Sequence, residues 1–191
     1  MRNKIIALLI IIALAVGLVA LWLVFNPQNA ESDAVSAERI EITRERGYKG
    51  VLTVYDESGE AAYKWYSSEE YIISAALSPR KETMAVLTLS GNGCRLIVFD
   101  LVHEGTENGS YVSTDALFYE VGYLTNSRIY ALSDKKAVIA DSGAEIISEY
   151  DYGEKELIAR ELANGNLTLT LDELSVGGST VKVTYNGVEW K

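Results

Sequence analysis

Hydrophobic positions along this chain follow two patterns. The first is continuous: Ile5 to Phe25 reads IIALLIIIALAVGLVALWLVF, 21 residues without a charge. At 1.5 Å rise per residue such a helix spans about 30 Å, the thickness of a bilayer's hydrocarbon core. The run predicts one membrane-crossing helix, with membrane contact through Ile5 to Phe25. A secretory signal has a shorter apolar core of roughly 7–15 residues, so an anchor is the better reading, with cleavage after Ala30 or Ala37 as its rival. Trp22 and Phe25 suit the interface at the exit end, and Asn26-Pro27 disfavours further helix. Gly17 is the run's one glycine, so no Gly-x-x-x-Gly pairing motif is present and the helix reads as a tether. Arg2 and Lys4 precede the span and acidic residues dominate after it, which predicts a cytoplasmic N-terminus (1–4) and an extracytoplasmic remainder.

The second pattern begins after a small, polar stretch (26–39) that reads as a linker. From residue 40 to 191 the apolar residues come in short runs rich in β-branched and aromatic side chains, bounded by Gly, Ser, Asn or Asp. Val51–Tyr55, Tyr71–Leu77, Met84–Leu89 and Arg95–Phe99 are examples. This predicts an all-β ectodomain, and the chain's 12 tyrosines fit half-buried sheet faces.

The strands also repeat. Four apolar runs end in an Asx residue with Gly close behind: VLTVYDESG at Asp56, RLIVFDLVHEG at Asp100, AVIADSG at Asp141 and VKVTYNG at Asn186, spaced 44, 41 and 45 residues apart. Between them come a second strand (Ala62–Tyr66, Glu145–Tyr150), a longer third (Tyr71–Leu77, Leu117–Leu124, Leu157–Leu162) and a fourth (Met84–Leu89, Arg128–Leu132, Leu167–Leu171). Four strands every 41–45 residues is the period of a β-propeller blade. A sandwich with regular hairpins is the alternative. A blade has two faces to cover, so neighbouring blades must bury one another and the repeat is expected to continue. Residues 48–191 hold a little over three blades, fewer than the four of a small closed ring. The expectation is therefore an open stack, a ring completed by another chain, or a truncated copy.

The stretch from Gly50 to about Leu171, notably VYDESGEAAYKWYSSEEYIISAALSPRKETMAVLTLS, RLIVFDL and GYLTNSRIYALSDKKAVIADSGAEIISEYDYG, resembles an uncharacterised family of clostridial-type Gram-positive single-pass membrane proteins with an extracytoplasmic propeller-like domain. The resemblance implies an anchored β-propeller fold and supplies no catalytic or binding residues. Family members carry further blade-like segments, so this chain resembles the anchor joined to the latter half.

Charge narrows the function classes. With Arg2 and Lys4 removed from the 17 basic residues, residues 27–191 carry 15 bases against 27 acids, a net charge of −12. That argues against a nucleic-acid partner, which needs clustered cations. One His and one Cys cannot form a zinc site or an internal disulfide. His103 lies in a polar excursion, Leu101–Ser110, and reads as a solvated loop side chain rather than a lone general base. Cys94 reads as a small packed side chain rather than a crosslinking point. Ser90–Cys94 lies between two strands and reads as a hairpin turn, not a phosphate loop. The turns Asp56–Glu60 and Asp141–Glu145 lack the alternating acidic pattern of a calcium loop and read as Asx turns. Tyr63 and Trp65 share one strand face and Tyr66 the other; packing between blades competes with a sugar or peptide platform. Asn108 and Asn166 begin glycosylation sequons of little weight here.

No catalytic, cofactor-binding or metal-binding residue is assigned, and no cofactor. The expectation is a non-catalytic, membrane-anchored binding or scaffold module whose partner is a protein or a second copy. A cell-envelope hydrolase with a site at the blade ends, and an envelope ligand sensor, are the alternatives. The sensor is disfavoured because Met1–Lys4 cannot form an output domain.

Overall fold

A computed structural model describes residues 35–173 and 178–191; the apolar run Ile5–Phe25 lies outside them. Among the described residues no helix is long and apolar enough to cross a membrane. Every regular element among the described residues is a strand: β1 (Arg39–Thr43), β2 (Gly50–Tyr55), β3 (Ala61–Ser67), β4 (Tyr71–Leu77), β5 (Thr83–Ser90), β6 (Gly93–Asp100), β7 (Thr106–Ser113), β8 (Phe118–Thr125), β9 (Arg128–Ser133), β10 (Lys136–Ala140), β11 (Ile146–Asp151), β12 (Lys155–Ala163), β13 (Asn166–Glu173) and β14 (Thr180–Tyr185). They form four antiparallel meanders, β1-β2-β3, β4-β5-β6-β7, β8-β9-β10-β11 and β12-β13-β14. The strands β2, β6, β10 and β14 carry the repeated Asx ending, so each is the third strand of its blade. The first blade thus holds second, third and fourth strands, and the last holds first, second and third. A bridge between Tyr185 and Trp190 starts a fourth strand there.

Alternation along the strands explains the stacking. In a strand successive side chains point to opposite faces. In β5, Met84 and Val86 pack with Leu52, Val54, Ile97 and Phe99 towards the first blade. Ala85 and Leu87 pack with Leu96, Val98, Ile129, Ala131 and Val138 towards the third. Strands β9 and β10 repeat the division: Tyr130, Leu132, Ala137 and Ile139 face Leu167, Leu169 and Leu171 of the fourth blade. Three inter-blade cores result. Leu87, Ile97, Ile129, Leu132, Ile139, Leu167 and Leu169 are among the fully buried side chains, each contributing about 1.5–3 kcal/mol by burial.

The two ends differ from the interior. On the outward face of the fourth blade, Thr168, Thr170 and Asp172 of β13 pair with Thr184, Lys182 and Thr180 of β14. The Thr168 and Thr184 hydroxyls lie 2.9 Å apart. On the outward face of the first blade, Arg39, Glu41 and Thr43 pair with Tyr55, Thr53 and Val51. The Arg39 guanidinium lies 3.8 Å from the Tyr55 ring centroid. The outward face of the fourth blade is thus polar, as in terminal capping repeats of solenoids, whereas on the first blade Val51 and Thr53 of the corresponding face are buried. The expectation that each blade needs two apolar neighbours holds for the second and third blades only. The stack is open.

Two segments depart from the sequence-based reading. Part of the polar excursion Leu101–Ser110 is strand: β7, sequence TENGSYVS, is the outer strand of the second blade. Gly109 sits within it because a Cβ there would run into the Gly143 carbonyl of the next blade. Packing also begins within the segment read as linker, since Val35 N–H donates to the Leu101 carbonyl at 2.6 Å and Ala37 is buried in the first core.

Candidate functional site

The repeated Asx residues hold the turns together with their side chains. Asp56 Oδ1 accepts the main-chain N–H groups of Ser58 and Glu60 at 2.9 and 3.0 Å. Asp141 Oδ1 accepts those of Gly143 and Glu145 at 2.8 and 3.0 Å. Asn186 accepts those of Val188 and Glu189 at 3.0 Å each. Asp100 accepts those of Val102 and His103 at 2.9 and 3.2 Å. Each is an Asx turn that satisfies loop amides. The preceding blade's outer strand then docks on this turn: Tyr63 O–H donates to the Gly105 carbonyl at 3.0 Å, and the Asn108 amide to the Ser142 carbonyl at 2.7 Å. Tyr150 meets Trp190 at 5.4 Å between ring centroids. Of the two acidic turns weighed as calcium ligands, Asp141–Glu145 is therefore a latch between blades, while the side-chain bonds of Asp56 stay within its own turn.

The other sequence candidates are scattered. His103 is exposed, with Nδ1 2.9 Å from Asp100 Oδ2. Burial raises the Asp100 carboxyl, but hydrogen bonds from His103 and the Val102 amide outweigh it and hold the group below its ordinary range. Cys94 is buried, its thiol donating weakly to the Phe118 carbonyl at 3.8 Å, and burial pushes it up. Ser90 and Gly93 pair across a two-residue hairpin turn. Asn166 opens β13. No group of three His, Cys, Asp or Glu side chains suited to a metal occurs among the described residues.

The aromatic strand divides by face. Tyr63 and Trp65 lie against Phe99 in the first inter-blade core, at 6.3 and 5.3 Å. Tyr66 points the other way and packs against Tyr48 with its ring tilted, at 4.8 Å between centroids. Close by, Arg44 and Lys49 lie 5.7 and 5.2 Å from the Tyr71 ring. Tyr48, Tyr66 and Tyr71 are each more than 40% exposed. The result is an aromatic surface with cations, formed by the β1–β2 loop and the starts and ends of neighbouring strands, on a strongly acidic domain. Sequence reading missed it because Tyr48, Tyr66 and Tyr71 belong to three separate segments; the Arg44-Glu-Arg-Gly-Tyr-Lys49 loop was the available signal.

A second recess lies between the third and fourth blades. A cleft of about 500 Å³ is lined by Tyr119, Ser133, Asp134, Lys155, Glu156 and Leu157. A shallower pocket of about 160 Å³ shares Tyr119 and Leu157 and reaches Glu120 and Arg160. There the Arg160 Nε pairs with Glu120 Oε1, which also accepts the Tyr130 hydroxyl at 3.0 Å. Burial first, and the Glu120 carboxylate second, push the Tyr130 phenol up to about 12.

Together these features define an open β-propeller-type module, a stack of blades that offers surfaces. Residues 39–185 match a family of unknown function, DUF5711, and the chain belongs to that family. No curated protein matches it. Similar solved structures include the β-propeller domain of Myceliophteria thermophila Cps50 (Swd1), at 14% identity and a TM-score of 0.51 over 71% of this chain and 49% of that one. The Dos1 propeller gives 13% identity and 0.52 over 76% and 46%. KlHsv2, with its loop 6CD replaced by a Gly-Ser linker, gives 14% and 0.52 over 78% and 55%. This chain spans about half the length of these propellers. At such identities the likeness concerns the fold.

Proposed function

We propose that the protein is a non-catalytic, membrane-anchored binding and scaffold module that displays its blade stack outside the cytoplasm to a protein partner. The observation that carries this reading is the exposed Tyr48–Tyr66–Tyr71 surface with Arg44 and Lys49 beside it. Tyr and Arg are the residue types that most often anchor protein interfaces, since they bury large area at low entropic cost while keeping a polar end. The apolar run Ile5–Phe25 and the flanking charges support the anchor and its orientation. The separation of His103, Cys94 and the acidic turns, each engaged in local structure, supports a binding role over catalysis.

The experiment places a photo-crosslinking residue at Tyr66 and, as control, at Thr170 on the opposite end, in the full chain in its native membranes. A stoichiometric protein adduct from position 66, lost on Tyr48→Ala with Arg44→Ala and absent from position 170, is expected. A monomer without an adduct at either position contradicts the scaffold. Protease shaving of intact cells checks the orientation: protection of residues 27–191 from outside overturns it.

A further inference from the structure

The first blade offers a place one strand wide that the chain's own repeat defines. In the second and third blades the first strand, β4 or β8, pairs antiparallel with the second, β5 or β9. In the first blade the second strand is β1, which among the described residues pairs with β2 alone. Its other edge is a row of main-chain donors and acceptors suited to one more strand. The neighbouring blade carries a matching surface. First strands of successive blades meet, since Val121 N–H of β8 donates to Ser74 Oγ of β4 at 3.3 Å. On the face that β8 turns to the second blade, Phe118 and Val121 are buried. Ile72 and Ala75 hold the same places on β4, across the same bulge, and are only half-buried against the first core. Ile42 of β1 and Ile73 of β4 are 39% and 38% exposed. An apolar shelf thus accompanies the open edge. At the Thr43 end of β1 follow Arg44 and Lys49, beside the Tyr71 ring that starts β4. Neither cation pairs with a carboxylate among the described residues.

We infer that the open edge of β1 takes an extended segment of a protein partner as the first strand of this blade. Running antiparallel to β1, as β4 runs to β5, that segment starts at the Thr43 end. Alternate apolar side chains then cover the Ile72 and Ala75 shelf, and a carboxylate at the N-terminal end meets Arg44 and Lys49. The chain's own residues 26–34 do not suit this place, because Ala30 and Ala34 are their only apolar side chains. The inference rests on the reading of the Tyr48–Tyr66–Tyr71 surface as protein-binding and states how the partner enters it.

The test is a fluorescence-anisotropy titration of the full chain in detergent with a labelled octapeptide, Glu-Tyr-Ile-Ile-Ser-Ala-Ala-Leu, the sequence of Glu70–Leu77 and so of a first strand. Saturable binding is expected. The analogue that begins with Lys should bind about fivefold more weakly, the reach of an exposed ion pair, as should the original peptide to Arg44→Ala with Lys49→Ala. Two further analogues are N-methylated on alternate residues. The one methylated towards β1 should lose affinity about tenfold or more and the other keep it, because an added strand bonds to the edge through every second residue. That comparison needs no variant protein. No saturable binding, or an equal effect of the two methylation patterns, overturns the inference. Self-association of the full chain that the peptide reverses would assign the edge to a second copy and overturn it likewise. A protein adduct at Tyr66 without peptide binding sinks this inference alone, whereas the absence of both sinks the proposed function with it.

Discussion

Leu169 and Thr170 are neighbours on β13 with opposite duties, so exchanging each for Ala separates core from cap. Leu169 is fully buried between Leu167, Leu171 and the third blade. Leu169→Ala removes about three methylene equivalents, roughly 2.4 kcal/mol at about 0.8 each. If about half of an ~80 Å³ void stays open, a further ~1 kcal/mol follows at about 24 cal/mol per Å³. The expected loss is about 3 kcal/mol. Thr170 faces outward beside Lys182 and is only half-buried. Thr170→Ala should cost less than about 1 kcal/mol, chiefly lost β-propensity. Urea unfolding read from Trp190 fluorescence measures both, since that indole packs 5.3 Å from Tyr185 in the same core. Equal costs would mean that both faces of the last blade are buried and would refute the capping argument.

Two further outcomes follow from the turns and their charges. Asp141→Ala should destabilise by about 1–2 kcal/mol through two unsatisfied loop amides, while Asp141→Asn should be near neutral because Asn186 fills the equivalent place; thermal melts of both variants check this. Asp56 is held below its ordinary carboxyl range chiefly by the Ser58 hydroxyl, and Asp115 by Ser113 and then Lys136. A lowered folded pKa gives stability that is present above the unfolded value of about 4 and lost as pH falls through the folded value. The melting temperature should therefore hold steady from pH 7 to about 5 and drop below about 4, and Asp115→Asn should flatten that drop.

Most of the fold was legible in the sequence because the Asx-Gly turn recurs at blade spacing and each recurrence has the same hydrogen-bonding duty. Tyr71–Leu77 matches β4 residue for residue, and Met84–Leu89 lies within β5. Strand β7 was hidden because its polar sequence and Gly109 answer to a contact with the next blade, which no local pattern encodes. The end caps were hidden for a related reason. Thr168 and Thr170 look like ordinary strand residues until their face is seen to lack a neighbour. Charge balance and the lone His103 and Cys94 kept the chemistry modest, and the structure places both in local roles. The Tyr48–Tyr66–Tyr71 surface could not be found by spacing, since it depends on how separate blades bring distant residues together.

On the fourth blade, apolar burial faces the third blade while the opposite face is polar and half-exposed, and the capping argument depends on that division. Thiol labelling of the Thr170→Cys variant, in the folded full chain, tests it against a clean background, because Cys94 is the sequence's one cysteine and is buried. The thiol introduced at position 170 should react much faster than Cys94, which stays protected until unfolding. Protection at position 170 equal to that of Cys94 would contradict an open, solvated end.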